Sequence, residues 1–160
     1  MGAVPPAVRI GITRLPDAEG LPLPSRATQR SSGYDLCAAV RSDLVVAPGD
    51  RVLVPTGYCV SIPAGYEGQI RPRSGLALSH GILLPNAPGT IDADYRGELK
   101  VIVLNAGEKA YSIRRGDRIA QLVIAAVATA EFSELEELDS TDRGERGFGH
   151  TGRDRGEARS

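Results

Sequence analysis

The chain has no tryptophan, one methionine, two phenylalanines, two histidines and two cysteines in 160 residues. Cys37 and Cys59 lie far apart without CxxC spacing, and His80 and His150 add no cluster, so the usual ligands of a tetrahedral zinc site cannot be assembled. Free, partly buried thiols are expected instead. A charge excess of either sign is also missing: 19 Lys+Arg face 20 Asp+Glu, for a formal net charge of −1. That balance excludes a broad electrostatic footprint for duplex nucleic acid or anionic lipid, and any anion must be held by local geometry. The first residues show no basic and then apolar leader pattern, and the longest apolar run, Leu122 to Ala128, is far short of a bilayer span. These absences lead us to expect a soluble, cytoplasmic protein that binds neither nucleic acid nor membrane.

Short apolar runs rich in β-branched residues are what the chain does have. They fall at 44–46, 51–62, 69–71, 99–104, 111–113 and 118–127, separated by turn signals at 47–50, 63–65, 105–107 and 115–117. This rhythm predicts an all-β barrel or jelly roll. One helical turn is expected after Ser74, with Ser74 near the N-cap. From Thr129 the pattern changes to acidic residues around Phe132, Leu135 and Leu138, and residues 140–160 carry Phe148 as their only large apolar side chain. We therefore expect a β domain over 1–139 and a flexible arm over 140–160.

Five segments carry possible chemistry. The richest is Asn86-Ala87-Pro88-Gly89-Thr90-Ile91-Asp92-Ala93-Asp94-Tyr95-Arg96-Gly97-Glu98. Positive φ at Gly89 and Gly97 would bend it into a hairpin that bares backbone N–H and C=O groups to a flat polar ring and projects Asp92 and Tyr95. A plain Asp-rich turn is the competing reading. Arg71-Pro72-Arg73-Ser74-Gly75 sets two guanidinium groups, a hydroxyl and a glycine amide at a strand-to-helix join, which suits phosphate oxygens or, equally, a solvated basic turn beside a surface carboxylate. Ser32-Gly33-Tyr34-Asp35 offers one carboxylate. Its local reading favours a turn residue capping its own backbone, with a hydrated magnesium ion as the alternative. Gly116-Asp117-Arg118-Ile119 echoes Gly49-Asp50-Arg51-Val52 as repeated turn chemistry that launches a strand. Last, Arg143 to Gly152 is glycine-rich with one aromatic, but it follows no strand, so it does not meet the context of a phosphate-binding loop or dinucleotide fingerprint.

Taken together and in order, at 32–39, 71–77, 86–98, 118–124 and 143–152, these segments resemble the five motifs of the homotrimeric dUTPases, the deoxyuridine triphosphate nucleotidohydrolases. The resemblance implies a distorted jelly-roll subunit, a homotrimer with shared active sites, and hydrolysis of dUTP at the α-phosphorus to dUMP and pyrophosphate. Such a reaction limits uracil incorporation into DNA and supplies dUMP for thymidylate synthesis. It further implies Mg²⁺ near Asp35 through water, phosphate contacts from Arg73, Ser74, Gly75 and Gln121, and uracil pairing by Asn86 and the backbone of Gly89, Thr90 and Ile91. Asp92 would activate the attacking water, Tyr95 would lie under the deoxyribose, and Arg143, Phe148, Gly149 and Thr151 of the arm would cover base and phosphates. Two positions depart from the family pattern: Arg146 stands where glycine is usual and His150 where serine is usual. Either these cations replace lost hydrogen bonds, or the arm docks less well. A dCTP deaminase-like enzyme and a non-catalytic nucleotide-sensing regulator are the alternative readings on the same scaffold.

Overall fold

The computed structural model describes residues 7–147. They fall into two units, one ending at Thr129 and one beginning at Ala130. The first holds all the regular structure among the described residues. Its elements are β1 (Gly11–Arg14), a single 3-10 turn (Pro16–Ala18), β2 (Tyr34–Cys37), β3 (Leu44–Val46), β4 (Arg51–Ser61), β5 (Tyr66–Arg71), α1 (Ser74–His80), β6 (Ile82–Leu83), β7 (Gly89–Ile91), β8 (Glu98–Asn105), β9 (Tyr111–Ile113) and β10 (Arg118–Ala126). The expected strands and turns are therefore present, within a residue at each end except for the strand expected at 69–71, which begins three residues earlier. Short β1, β2, β6 and β7 escaped the sequence reading because they are not apolar runs like β3: β1, β2 and β7 mix glycine or polar residues into three or four positions, and β6 has only two.

The strands form a jelly roll of two four-stranded antiparallel sheets, ordered β1-β4-β8-β6 and β2-β10-β5-β7, with β3 and β9 as a separate pair. Alternation fills the space between them. Leu99, Val101, Val103 and Asn105 of β8 are all at or below 1 % exposure while Lys100 between them points out. Leu36, Ala120, Leu122 and Ile70 supply the facing layer from the second sheet. Burying each of these leucines contributes about 1.5–3 kcal/mol, which is why a one-residue register slip in either sheet would be ruinous.

Two buried polar side chains sit in this core, and both are satisfied. Thr56 Oγ1 donates to Leu99 O at 2.7 Å. Asn105 Nδ2 donates to Val46 O and Lys109 O, both at 2.8 Å, and its Oδ1 accepts from Gly107 N at 2.9 Å. One side chain thus ties β8 to β3 and closes the turn that leads to β9. Helix α1 starts one residue earlier than expected: Arg73, with extended φ and ψ, is the N-cap, and Ser74 is the first helical residue. It ends at Gly81, whose φ of 67° is the left-handed stop that glycine takes most readily.

In the second unit, the described residues 130–147 form no strand or helix and expose Phe132, Leu135 and Leu138.

Candidate active site

The second sheet brings three of the five segments into one row. Gln121 of β10 pairs with Asp35 of β2 on one side and with Arg71 of β5 on the other. Because side chains alternate, all three lie on the outer face, opposite the core layer of Leu36, Leu122 and Ile70. Gln121 Nε2 donates to Pro72 O at 2.9 Å and so holds the peptide just before the helix N-cap. Gly33 makes room for this: a Cβ there would lie 2.9 Å from Gln121 Cδ.

Asp35 is a strand residue and not the self-capping turn residue that local reasoning favoured. Its backbone N–H donates to Ser25 O at 2.8 Å. Its carboxylate is held from both sides, by Arg73 Nε at 3.2 Å on Oδ1 and by Arg118 Nη1 at 3.0 Å on Oδ2. Arg73 Nη1 also donates to Arg118 O at 3.0 Å. Arg73 is thus a basic residue beside a carboxylate, as the competing reading had it, but this carboxylate is only 17 % exposed and so is not a surface one. Beside them the buried Cys37 thiol is pushed up, first by desolvation and then by the Asp35 carboxylate, against a smaller opposing pull from Arg118 and Arg73. Arg118 was not singled out from sequence, although it opens one of the five motifs; only folding sets it beside a residue 83 positions away.

The 86–98 segment differs from expectation in a physical detail. It is not a paired hairpin: β7 pairs with β5 in one sheet, whereas Glu98 opens β8 in the other, so the turn crosses between sheets. Gly89 and Gly97 are also absent from the positive-φ glycines. They are small because side chains press on them. A Cβ on Gly89 would lie 3.0 Å from Asn86 Nδ2, and one on Gly97 would lie 2.6 Å from Tyr95 Cζ.

The turn is closed by Tyr95 N–H donating to Asp92 O at 3.1 Å, and Arg96 Nη1 donates to Ala93 O and Tyr95 O at 2.6 and 2.8 Å. Main chain and Arg96 therefore do the work that a plain Asp-rich turn would assign to its carboxylates. Asp92, Asp94, Asn86 and Thr90 are exposed. Tyr95, 43 % exposed, is steadied by its hydroxyl donating to Glu98 O at 3.1 Å.

Asp35 stands apart from the crossing turn within one chain, although Gly89 pairs with Ile70, the residue before Arg71. Asp35 and Ile91 lie on opposite edge strands of the same sheet and three residues apart along it, and standard strand spacing and rise separate them by about 17 Å. Ser74 and Gly75 follow Arg73 in the first turn of α1 and are exposed. In the second unit, Arg143 and Arg146 each donate from Nε to the other's carbonyl oxygen, at 2.9 and 3.0 Å. Phe148, Gly149, His150 and Thr151 lie outside the described residues. A wide groove of about 770 Å³, lined by Ile10, Ile12, Leu23, Tyr34, Tyr66 and Ile124 among others, includes none of the candidate site residues. Arg26, Arg30, Ser31 and Ser32 also line it, but the carboxylate, guanidinium and amide groups of the ordered segments converge elsewhere, so we place the site at the guanidinium row and the crossing turn.

Three comparisons with known proteins agree. The family model for dUTPase matches residues 19–152. The deoxyuridine 5'-triphosphate nucleotidohydrolase of Aquifex aeolicus (strain VF5) is 62 % identical over 145 residues, covering 91 % of this chain and 97 % of that protein. Among solved structures, a dUTPase variant of Staphylococcus bacteriophage 80alpha with dUpNHpp superposes with a TM-score of 0.81 at 29 % identity, over 90 % of this chain and 98 % of the other. A dUTPase variant from phage phi11 of S. aureus, described for its coordination of a structural Mg(II) ion, gives a TM-score of 0.73 at 27 % identity, over 82 % and 99 %. With its jelly roll, its ordered motifs and a family match across most of its length, the chain belongs to the dUTPase family.

Proposed function

We propose that this protein hydrolyses dUTP to dUMP and pyrophosphate, with attack at the α-phosphorus. The observation that carries the reading is the 62 % identity to a named dUTP nucleotidohydrolase over nearly the whole of both chains. Asp92 is the proposed water activator. It is an exposed carboxylate on a turn closed by backbone and Arg96, so its side chain is free of the turn's own hydrogen bonding. An aspartate takes a proton from water effectively only when that water is held in line with phosphorus and the leaving group's charge is met. Arg73, Ser74, Gly75 and Gln121 meet that charge. Asn86 and the backbone of Gly89, Thr90 and Ile91 read uracil: a close-fitting edge strand excludes the 5-methyl of thymine and presents mismatched partners to cytosine. Tyr95 lies against C2′ and leaves no room for a ribose hydroxyl.

We take the protein to act as a homotrimer with shared sites; the separation of about 17 Å between the Asp35 and Ile91 strand positions suits a site that a neighbouring copy completes. Residues 140–160 act as the closing arm, with Arg143, Phe148, Gly149 and Thr151 over base and phosphates.

A divalent cation, which we take to be Mg²⁺, fits this site only as a guest of the triphosphate. Both oxygens of Asp35 already face guanidinium groups, and among the described residues no group of three or more His, Cys, Asp or Glu stands together to ligate an ion. Asp35 would reach it through water, and the ion when bound would offset phosphate charge. We assign the protein to the cytoplasm, where Cys37 and Cys59 remain free thiols; among the described residues no helix is long and apolar enough to cross a membrane.

The test is chromatography of the products formed from dUTP and magnesium by the wild type and Asp92→Asn. Formation of dUMP and pyrophosphate, lost in the variant, is expected. Release of dUDP and orthophosphate would contradict attack at the α-phosphorus.

A further inference from the structure

We infer that Arg118 is a positioning residue for the triphosphate: it takes one oxygen of Asp35 and so keeps the adjoining Arg73 directed and net positive toward phosphate. This inference rests on the function proposed above.

Asp35 presents a single negative charge to two guanidiniums, Arg73 on Oδ1 and Arg118 on Oδ2. Without Arg118, Asp35 and Arg73 form a neutral pair, and a neutral pair has little pull on a polyanion. With it, the cluster carries one net positive charge. Arg118 acts a second time through its backbone, whose carbonyl accepts from Arg73 Nη1 at 3.0 Å. Arg73 is thereby held at Nε and Nη1, and the rest of its five N–H donors remain for a ligand.

The local geometry explains why Arg118 reaches Asp35. Arg118 is opposite Cys37 on β2, and the pairing slips between Arg118 and Ala120. Cys37 and Asp35 share a face, so Asp35 is the diagonal neighbour of Arg118, a spacing that long side chains bridge. The irregularity re-aims the side chain at the point where the ladder begins. The Arg73 and Asp35 side chains are 28 % and 17 % exposed, so the pair is screened less than a surface ion pair, whereas Arg118, at 53 %, stands between cluster and solvent.

The experiment is calorimetric titration with dUpNHpp and with dUMP in magnesium-free buffer, beside kcat and KM for dUTP. Arg118→Gln is expected to weaken dUpNHpp binding and raise KM by about tenfold while leaving dUMP affinity and kcat within about twofold. Arg118→Lys should restore binding, because the contact to Asp35 Oδ2 is a single bond from Nη1. The double variant Asp35→Asn/Arg118→Gln should bind dUpNHpp more tightly than Arg118→Gln alone, since Arg73 regains its uncompensated charge.

The inference is overturned if Arg118→Gln binds dUpNHpp like the wild type, if it loses dUMP and dUpNHpp equally, or if the double variant gains nothing. Failure of the wild type to turn over dUTP would instead sink the proposed function and leave the charge balance within the cluster to be read by dUpNHpp binding.

Discussion

Replacing Gly97 with alanine should separate the sugar-gating role of Tyr95 from its contribution to folding. A Cβ at 97 would stand 2.6 Å from Tyr95 Cζ and 3.0 Å from Cε2, where ordinary contact begins at 3.4 Å. The ring must therefore retreat by about 1 Å, and its 3.1 Å hydrogen bond to Glu98 O is lost. That bond is exposed and contributes about 1 kcal/mol. Gly97 has no positive φ, so alanine suits the backbone and returns about 0.4–1 kcal/mol by restricting the unfolded chain. Stability should change by less than about 1 kcal/mol, a Tm shift within about 4 °C for a domain of this size.

Activity should respond far more, because a displacement of about 1 Å at a positioning group can cost on the order of 100-fold. We expect kcat/KM for dUTP to fall at least tenfold while that for UTP falls less, so that discrimination between the two sugars shrinks. The assay is paired steady-state kinetics on dUTP and UTP, with a thermal melt of each protein. Wild-type discrimination in the variant would refute the placement of Tyr95 against C2′. A Tm loss above about 10 °C would refute the claim that the collision is local.

Asn105→Ala removes three hydrogen bonds from a fully buried side chain and orphans Val46 O, so urea unfolding should report a loss of about 3–5 kcal/mol, whereas a loss below about 1 would mean that the core re-forms those bonds. Burial raises the Cys37 thiol above its usual 9.0 and the Tyr58 and Tyr111 phenols above their usual 10.0. The neutral forms are favoured in the fold, so this stability is complete below pH 9 and declines as pH climbs through the raised values. Cys37→Ala should flatten the first part of that alkaline decline; an unchanged profile would assign it to the tyrosines alone.

The expected strands at 44–46, 51–62, 99–104 and 118–127 came close to the observed ones because each is rich in β-branched residues and is bounded by Gly, Pro, Asn or Asp. The 86–98 segment is the chemically richest stretch of the sequence, yet its geometry is not the hairpin that its composition predicts. Its glycines read as positive-φ hinges, yet both are small because Asn86 and Tyr95 press on them. A glycine in sequence looks the same whether it relieves its own backbone or a neighbour's side chain.

By itself, the sequence determined the jelly-roll class, the turn positions and the residue types fit for phosphate and uracil, since those follow from local periodicity and side-chain chemistry. It also carried the family, through the order of its motifs. Only the tertiary structure decided that Asp35 is clasped by Arg73 and Arg118, that Gln121 fastens the peptide before α1, and that the crossing turn links two sheets. Those facts depend on strand order, in which β10 sits between β2 and β5, and no local pattern encodes which distant strand will become a neighbour.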